Sequence, residues 1–409
     1  MITTAGYHGL SFLIMAPFAP SPYRPGMGLD PPYLGDRDIQ IERFRTFLAE
    51  PGVPRNLLVT GLRGVGKTVL LRHYSDEAES SNWLVISREF SDADAQPDVF
   101  ARTLLTDLTR LARRLSMSAR IKSAAAAVAQ SVLESLGSLS VSYGEIKVAV
   151  SAGRQATAKL NRLDDDLRDV MMQVGDLCLR SEHPGFILRY DEFQVVRERR
   201  GWMTLSALLS SVAAVQQAEI PIMLILCGLP PMRENLARSK SYSERMFFTE
   251  ELGNLRPPED RAALIDPAAR LNRRYEDEVV ELAMQETMGY PFFIQLYGDI
   301  LWRGSSGTTI TRADLQRLRP DILDVLDRGF FEARFVRAST EERRILRFIA
   351  VDGESTTVDQ LQRRSGRQNN QLQPHLSALV QKGLIYRASR GHVAFTAPMF
   401  GAFLRRRPE

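Results

Sequence analysis

The sequence predicts an α/β fold, a three-layer sandwich in which helices cover both faces of a parallel sheet. Short apolar runs with the length of buried strands are concentrated in one part of the chain, at residues 56–60, 83–86, 185–190 and 221–227. Segments with apolar residues at helical spacing separate these runs, which indicates parallel strands joined by helical crossovers. The hydrophobic fraction of 44% and the charged fraction of 25% are ordinary for globular domains, so extensive disorder is not expected.

Length and composition narrow the class of protein further. A chain of 409 residues is longer than one hydrophobic core usually supports, so about two or three domains are expected. Cys178 and Cys227 lie in apolar stretches without the paired spacing of a zinc site, and we expect buried thiols in a reducing cytoplasm. The apolar run at residues 10–19 is too short to span a membrane and lacks the basic flank of a signal peptide, so residues 1–30 are predicted to be a flexible lead-in.

Changes in local pattern predict the other domain boundaries. Residues 31–256 hold the alternation of strands and helices, whereas strand signals disappear over residues 257–337, which predicts a helical domain. Residues 338–409 begin with the capping box Ser339-x-x-Glu342 and continue with short helices and then two strands around Arg390-Gly391. This order of elements predicts a winged helix.

An insertion is predicted within the α/β core. Apolar residues alternate over residues 139–143 and again over 146–150, with Gly144-Glu145 between them, which predicts a β-hairpin near residues 138–151. Lys147 is its only basic residue, so we expect a surface for protein contact or self-association. The alternative is a β-ribbon that packs on the helices of its own domain.

Residues 61–68, which read Gly-Leu-Arg-Gly-Val-Gly-Lys-Thr, fit the phosphate-loop pattern G-x-x-x-x-G-K-[ST] and lie between a predicted strand and a predicted helix. Backbone N–H groups of such a loop wrap phosphates, and the helix N-terminus adds partial positive charge. We expect Lys67 to reach the β- and γ-phosphates of ATP and Thr68 to ligate Mg²⁺. A glycine-rich turn without a ligand is the alternative, and the strand and helix context argues against it. The predicted cofactor-binding residues of the loop are Gly61, Arg63, Gly64, Val65, Gly66, Lys67, Thr68 and Val69.

An acidic pair follows the predicted strand at residues 185–190. Asp191 stands where a strand next to the phosphate loop would present a carboxylate to Mg²⁺, so Asp191 and Thr68 are the predicted metal ligands. Glu192 is expected to orient and deprotonate the attacking water, which makes it, with Lys67, a predicted catalytic residue. The alternative is that Asp191-Glu192 is an ordinary polar strand end at the surface.

Several further segments strengthen this interpretation. They are Arg37-Asp38, Cys227-Gly228-Leu229-Pro230, residues 239–247, Gly289-Tyr290-Pro291-Phe292-Phe293, and residues 395–400. With the phosphate loop and the acidic pair, they resemble bacterial AAA-type ATP-binding proteins, similar in domain order to the origin-recognition family of replication initiators. They also resemble the signal-transduction ATPases with numerous domains. The resemblance covers residues 31–407 and implies an ATPase core, a helical lid over residues 257–337 and a C-terminal winged helix.

The resemblance implies further nucleotide contacts. Arg37 and Asp38 would lie near the adenine, and Pro291 would pack on the base from the lid. From the residues alone, Gly289 ends one helix and Pro291 begins the next, and both interpretations can hold together.

Arg245 matches the position from which such ATPases touch the γ-phosphate, in cis or from a neighbouring subunit, which would give it a catalytic part. The alternative is an ion pair with Glu244 or Glu250 at the surface. Oligomers are therefore among the expected assemblies.

Three departures from the family pattern are present. Asp36 occupies a position that is usually glycine, and Arg189 interrupts a strand that should be apolar on both faces. The strand that ends at Cys227 offers no Asn, Thr or Ser to sense the γ-phosphate. We therefore expect ATP binding with slow hydrolysis.

The C-terminal domain is basic. Residues 338–409 contain twelve Arg and Lys against six Asp and Glu, while the rest of the chain is slightly acidic. This charge favours double-stranded DNA as a partner of the winged helix, with residues 369–382 as its recognition segment, shortened by Pro374. Winged helices also dock proteins, which is the alternative. The predicted DNA-binding residues are Arg367, Asn369, Asn370, Arg387 and Arg390.

The function that these patterns favour is an ATP-dependent molecular switch in which nucleotide repositions a DNA-binding winged helix. The alternative is an ATPase subunit that drives or regulates a protein partner. A metabolic kinase is disfavoured because no second phosphate-acceptor pocket can be recognised. A cytoplasmic location is expected for both favoured functions.

Overall fold

The computed structural model describes residues 20–26, 28–53, 55–116, 130, 133–134, 137, 163–198 and 204–407. The chain forms two compact units, one of Arg37–Gly253 and one that joins Met1–Asp36 to Asn254–Glu409. The hairpin predicted near residues 138–151 lies outside the described residues. Within the described ranges, no helix is both long and apolar enough to cross a membrane.

The described residues of the unit from Arg37 to Gly253 form a sheet of five parallel strands, in the order β2-β3-β4-β1-β5. The strands are β1 (Asn56–Gly61), β2 (Leu84–Glu89), β3 (Phe186–Asp191), β4 (Ile222–Gly228) and β5 (Phe247–Leu252). The helices are α1 (Asp38–Ala49), α2 (Lys67–Ser80), α3 (Pro97–Ser116), α4 (Leu163–Arg180), α5 (Thr204–Gln217), α6 (Met232–Ser239) and α7 (Ser243–Met246). Single 3₁₀ turns lie at Asp92–Ala95 and Phe193–Val195.

The sheet is buried because its central strands carry apolar side chains on both faces. All residues of β1 and β4 are buried. On one face, the apolar stripes of α3, α4 and α5 pack against alternate strand residues such as Leu188 and Leu224. The predicted α/β fold with a parallel sheet is confirmed. Cys178 and Cys227 are buried as expected, and burial raises the pKa of both thiols.

The sheet differs from the sequence prediction in two respects, the position of one strand and the number of strands. The acidic strand β3 is not adjacent to β1, because β4 lies between them. The fifth strand, β5, was not predicted, because Phe248, Thr249 and Glu251 are exposed along this edge and break the apolar pattern of a buried strand. β5 pairs with β1 along its whole length.

Arg189 lies in β3, which is an interior strand of the sheet. The sequence led us to expect a carboxylate partner or a place at the sheet edge for its guanidinium. Instead the side chain is half-buried, and its Nε has no hydrogen-bond partner among the described residues. Burial lowers the pKa of Arg189, and the charge of Asp191 acts against this.

The second unit is mainly helical and has one continuous apolar core. Its helices are α8 (Glu259–Ala269), α9 (Asp277–Thr287), α10 (Pro291–Gly304), α11 (Arg312–Leu326), α12 (Glu332–Phe335), α13 (Thr340–Val351), α14 (Val358–Ser365), α15 (Asn369–Gln381) and α16 (Phe400–Arg406), with a π-helical turn at Asp327–Phe331. Its strands are β6 (Arg274–Tyr275), β7 (Thr309–Ile310), β8 (Ser355–Thr357), β9 (Ile385–Ser389) and β10 (His392–Phe395). β6 and β7 pair in parallel, while β8, β10 and β9 form an antiparallel sheet in that order.

Two sequence predictions for this unit are wrong. Residues from 20 onward are not all a flexible lead-in, because Tyr23 is buried and its hydroxyl contacts Leu264 O and the Tyr275 hydroxyl. The helix α15 is not shortened by Pro374, which lies inside it. A proline removes only one intrahelical hydrogen bond near the start of a helix, so the apolar face that contains Leu372, Leu376 and Leu379 still packs into the core.

Candidate nucleotide-binding site

The loop of residues 61–68 connects the end of β1 to the start of α2. Gly64 and Gly66 have φ angles of 83° and 92°, in the left-handed region that favours glycine. Gly66 is the N-cap of α2, so the unpaired N–H groups of the first helical turn begin at Lys67. This backbone has the dipole and the donors that bind phosphate.

Lys67 is buried within this loop. Its Nζ donates to the carbonyl oxygens of Gly61 at 3.0 Å and Leu62 at 2.9 Å. Val65 and Val69 are also buried, so their side chains stabilise the loop and only their backbone groups can serve a ligand. The buried ammonium group of Lys67 lies in a loop whose backbone N–H groups can bind an anion, and its positive charge suits the same anionic ligand.

Thr68 and Asp191 meet although they belong to different elements. The Thr68 hydroxyl donates to Asp191 Oδ2 at 2.9 Å, and Asp191 itself is buried. Mg²⁺ prefers hard oxygen ligands and in nucleotide sites takes only one or two of them from the protein. The hydroxyl and carboxylate oxygens fit such an ion, and clusters of three or more metal-binding side chains do not occur among the described residues.

Glu192 lies beside the phosphate loop. Its backbone has a φ of 51°, and its N–H donates to Asp191 Oδ1 at 2.8 Å. Its Oε2 accepts from Gln194 Nε2 at 2.6 Å and lies 3.8 Å from Arg63 Nη2. A loop residue and a residue of the following 3₁₀ turn therefore converge on one oxygen of Glu192.

Arg37 contacts the phosphate loop directly. Its guanidinium is buried, and Nη2 donates to Val65 O at 3.0 Å and Gly253 O at 3.3 Å. Asp38 begins α1 and is exposed. Asp36 has a φ of 57°, which explains why glycine would be favoured at this position and how aspartate can replace it.

This chain is similar to known nucleotide-binding proteins in sequence and in fold. Residues 36–225 match the family described as AAA ATPase domain. The Walker-type ATPase PABY2304 of Pyrococcus abyssi has a similar structure, with a TM-score of 0.59, 18% identity and coverage of 95% of this chain and 98% of that chain. The core has the fold of an AAA-type P-loop ATPase.

Other matches are weaker or less informative. Residues 328–404 match a domain of unknown function, DUF8462. The Orc1 protein of Aeropyrum pernix in complex with DNA has a TM-score of 0.43 at 16% identity, covering 92% of this chain and 94% of that one. A RuvB variant of Thermotoga maritima has a TM-score of 0.41 at 16% identity, with coverage of 88% and 92%. The comparison with curated proteins gives no match.

Arg245 lies on α7 of the AAA-type core and is exposed. No ion pair with it occurs in the part of the chain that the structure describes. The alternative pairing with Glu250 does not form, because Glu250 is buried and its carboxylate contacts Arg43 Nη1 at 3.0 Å and the Tyr74 hydroxyl at 3.2 Å. Arg245 is therefore an exposed cation with no ion-pair partner among the described residues of the core.

Pro291 belongs to the second unit, outside the AAA-type core. It is the first residue of α10, as expected from the residues alone. Gly289 has a φ of 72° and follows the C-cap of α9. The predicted packing of Pro291 on adenine stays a prediction.

The residues predicted to bind DNA are partly linked to each other. Arg387 Nη2 donates to Gln373 Oε1 at 2.9 Å, and Gln373 Nε2 donates to Asn369 Oδ1 at 2.7 Å, which joins β9 to the first turns of α15. Asn370 and Arg390 are exposed. Arg367 instead forms an ion pair with Glu341.

Much of the positive charge of the C-terminal segment is paired within the same unit. The pairs include Arg364 with Asp352, Lys382 with Glu342, Arg406 with Asp327, and Arg407 with Glu332. The cationic surface available to an acidic partner is therefore smaller than the residue count indicates.

Proposed function

We propose that this protein is an ATP-dependent molecular switch that binds Mg-ATP at residues 61–68 and hydrolyses it slowly. The observation that supports this most strongly is the hydrogen bond of 2.9 Å between Thr68 and Asp191. It joins the two oxygen ligands expected for Mg²⁺ at the edge of the phosphate loop that contains Lys67. The AAA-type fold of the core supports the same proposal.

Each residue has a chemical part in this proposal. Lys67 would neutralise charge on the β- and γ-phosphates, in place of its present bonds to loop carbonyl oxygens. Thr68 and Asp191 would hold Mg²⁺, which when bound offsets charge that develops on the phosphates. Glu192 would accept a proton from the attacking water.

The end of β4 supports slow turnover. β4 ends at Cys227 and Gly228, which offer no Asn, Thr or Ser side chain to contact the γ-phosphate. A switch needs the ATP-bound state to persist, and slow hydrolysis would prolong it.

The test separates binding from hydrolysis. Lys67→Ala should abolish ATP binding, measured by calorimetry with Mg-ATP, because the variant loses the phosphate-binding cation. Glu192→Gln should keep binding and stop release of inorganic phosphate. Lys240→Ala, outside the loop, is the control. Equal affinity of Lys67→Ala and the wild type would contradict the assigned site, and a phosphorylated small molecule as product would indicate a kinase.

We further propose that Arg245 acts on the nucleotide of a neighbouring subunit, because it is an exposed cation without an ion-pair partner among the described residues. ATP should then promote oligomers, detected by light scattering. A mixture of Arg245→Ala and Glu192→Gln subunits should regain some activity. A monomer at all concentrations with ATP would leave only an action within one subunit.

We propose that the C-terminal segment is a winged helix that contacts double-stranded DNA, mainly through phosphates. The order of its elements, α13-β8-α14-α15-β9-β10, supports this, as do the exposed Arg387 and Arg390 in the β9-β10 hairpin. The second candidate is a docking module for a protein partner, favoured by the internal pairing of Arg364, Arg367 and Lys382.

A further inference from the structure

We propose that Gln194 is a positioning residue that holds the carboxylate of Glu192 for hydrolysis. This inference rests on the proposed ATPase function. Gln194 is buried, and both ends of its carboxamide are engaged. Nε2 donates to Glu192 Oε2 at 2.6 Å, and Oε1 accepts from the backbone N–H of Leu229 at 3.0 Å.

The two partners fix the orientation of the amide. A backbone N–H can only donate, so the oxygen of Gln194 must face Leu229. The NH₂ group must then face Glu192 Oε2, at 2.6 Å. Gln194 therefore favours one position of the Glu192 carboxylate.

Gly228 at the end of β4 provides the space for this amide. A Cβ at position 228 would lie 2.3 Å from Gln194 Oε1, which is closer than real contacts allow. A polar side chain on β4 at this point would therefore exclude Gln194. Gln194, from the turn after β3, occupies the space that Gly228 leaves.

The contacts also predict which step depends on Gln194. Its bonds go to Glu192 and Leu229, whereas Lys67 bonds to the loop carbonyls and Thr68 bonds to Asp191. Loss of the Gln194 amide should thus change the reactivity of Glu192 and leave the groups that hold phosphate and Mg²⁺ in place.

Gln194→Glu is the sharpest test, because it keeps the acceptor for Leu229 and replaces only the donor to Glu192. A carboxylate at position 194 has no N–H to donate, so it cannot hold Glu192 Oε2 at hydrogen-bond distance. We expect the affinity for Mg-ATP to stay within about threefold of the wild type, and kcat to fall by about tenfold or more. A lower kcat at unchanged affinity separates the positioning of Glu192 from general damage to the site.

Gln194→Met provides a second test, because it removes both polar ends with little change in volume. It should lower kcat without weakening ATP binding. A wild-type kcat in folded Gln194→Glu or in folded Gln194→Met would overturn the role of Gln194. Failure of the wild type to bind or hydrolyse ATP would instead contradict the proposed function, so the two failures can be distinguished.

Discussion

The hydroxyl of Thr68 donates a hydrogen bond of 2.9 Å to the carboxylate of Asp191. The two residues meet although β4 lies between β1, which leads into the loop before Thr68, and β3, which contains Asp191. Thr68 is the second residue of α2, and Asp191 is the last residue of β3. The contact is possible because all strands are parallel and their carboxyl ends share one edge of the sheet.

Thr68→Val or Asp191→Asn should weaken Mg-ATP binding by about 10- to 100-fold, because each variant removes or weakens one oxygen ligand of Mg²⁺. Binding of ATP in EDTA should change little. Calorimetry with and without Mg²⁺ measures both. Thr60→Val is the matched control, since the buried Thr60 hydroxyl has no hydrogen-bond partner among the described residues. An equal loss with and without Mg²⁺ would argue for damage to the loop.

Arg37→Met should destabilise the protein by about 1–3 kcal/mol, because the carbonyl oxygens of Val65 and Gly253 lose their donor. Since Arg37 supports the loop backbone, the affinities for ATP and GTP should fall by the same factor. Denaturant unfolding and nucleotide titration measure the two effects. A loss confined to ATP would favour the adenine contact that the family resemblance implies.

Gly228→Ala should lower kcat without a large change in ATP affinity, because the new Cβ displaces the Gln194 carboxamide. The effects of Gly228→Ala and Gln194→Ala should not add, since both act on one hydrogen bond. A double-mutant cycle in kcat measures this. The control is Gly253→Ala, where nothing lies within 4 Å of an added Cβ. Full additivity would mean that Gly228 acts independently of Gln194.

Arg387→Ala combined with Arg390→Ala should weaken duplex binding and flatten its salt dependence by up to about two units, because up to two phosphate contacts are lost. Fluorescence anisotropy at several salt concentrations measures this. The matched control combines Arg344→Ala and Arg406→Ala, whose guanidinium groups already pair with Glu341 and Asp327. No binding at low salt, with or without ATP, would support the protein-docking alternative.

The pair of Asp352 and Arg364 should make the stability of the second unit depend on pH. Hydrogen bonds from Arg364 and from Thr356 lower the pKa of Asp352 to about 2. Because the folded-state pKa lies below the ordinary value of 3.8, the stabilisation is complete above that value and is lost as pH falls towards 2. Arg364→Ala should therefore destabilise at pH 6 and progressively less below pH 4. Arg363→Ala, at an exposed neighbouring position, is the control in thermal unfolding.

The sequence predicted those parts of the fold that depend on local chemistry. The phosphate loop, four strands of the core and the helix α15 follow from glycine spacing and apolar patterns. The order of the strands in the sheet cannot be predicted from local patterns, because it depends on which strands become neighbours after the helical crossovers. β5 escaped detection because Phe248, Thr249 and Glu251 are exposed along it, so its side chains do not show the apolar pattern of a buried strand.

In the nucleotide-binding site too, residues placed by local sequence could be predicted, and residues placed by distant parts of the chain could not. Lys67, Thr68 and Asp191 could be predicted because each has a fixed place relative to a strand or helix end. Gln194 could not, because its role arises from the left-handed backbone of Glu192 and from the space left by Gly228, which is distant in sequence. The family resemblance implies that Arg37 lies near the adenine, whereas its contact with Val65 O could not be predicted, because it requires the folded loop.

The ion pairs of the C-terminal segment bear on how that surface discriminates among polyanions. An anion that approaches Arg364, Lys382 or Arg406 must displace a carboxylate of the same chain and leave it unpaired beside negative charge. Arg387 donates its hydrogen bond to the neutral amide of Gln373, so an anion that binds Arg387 leaves no carboxylate unpaired. We therefore expect heparin-like chains, which attract any dense set of cations, to bind poorly, whereas a ligand whose charges match the β9-β10 hairpin alone would be accepted.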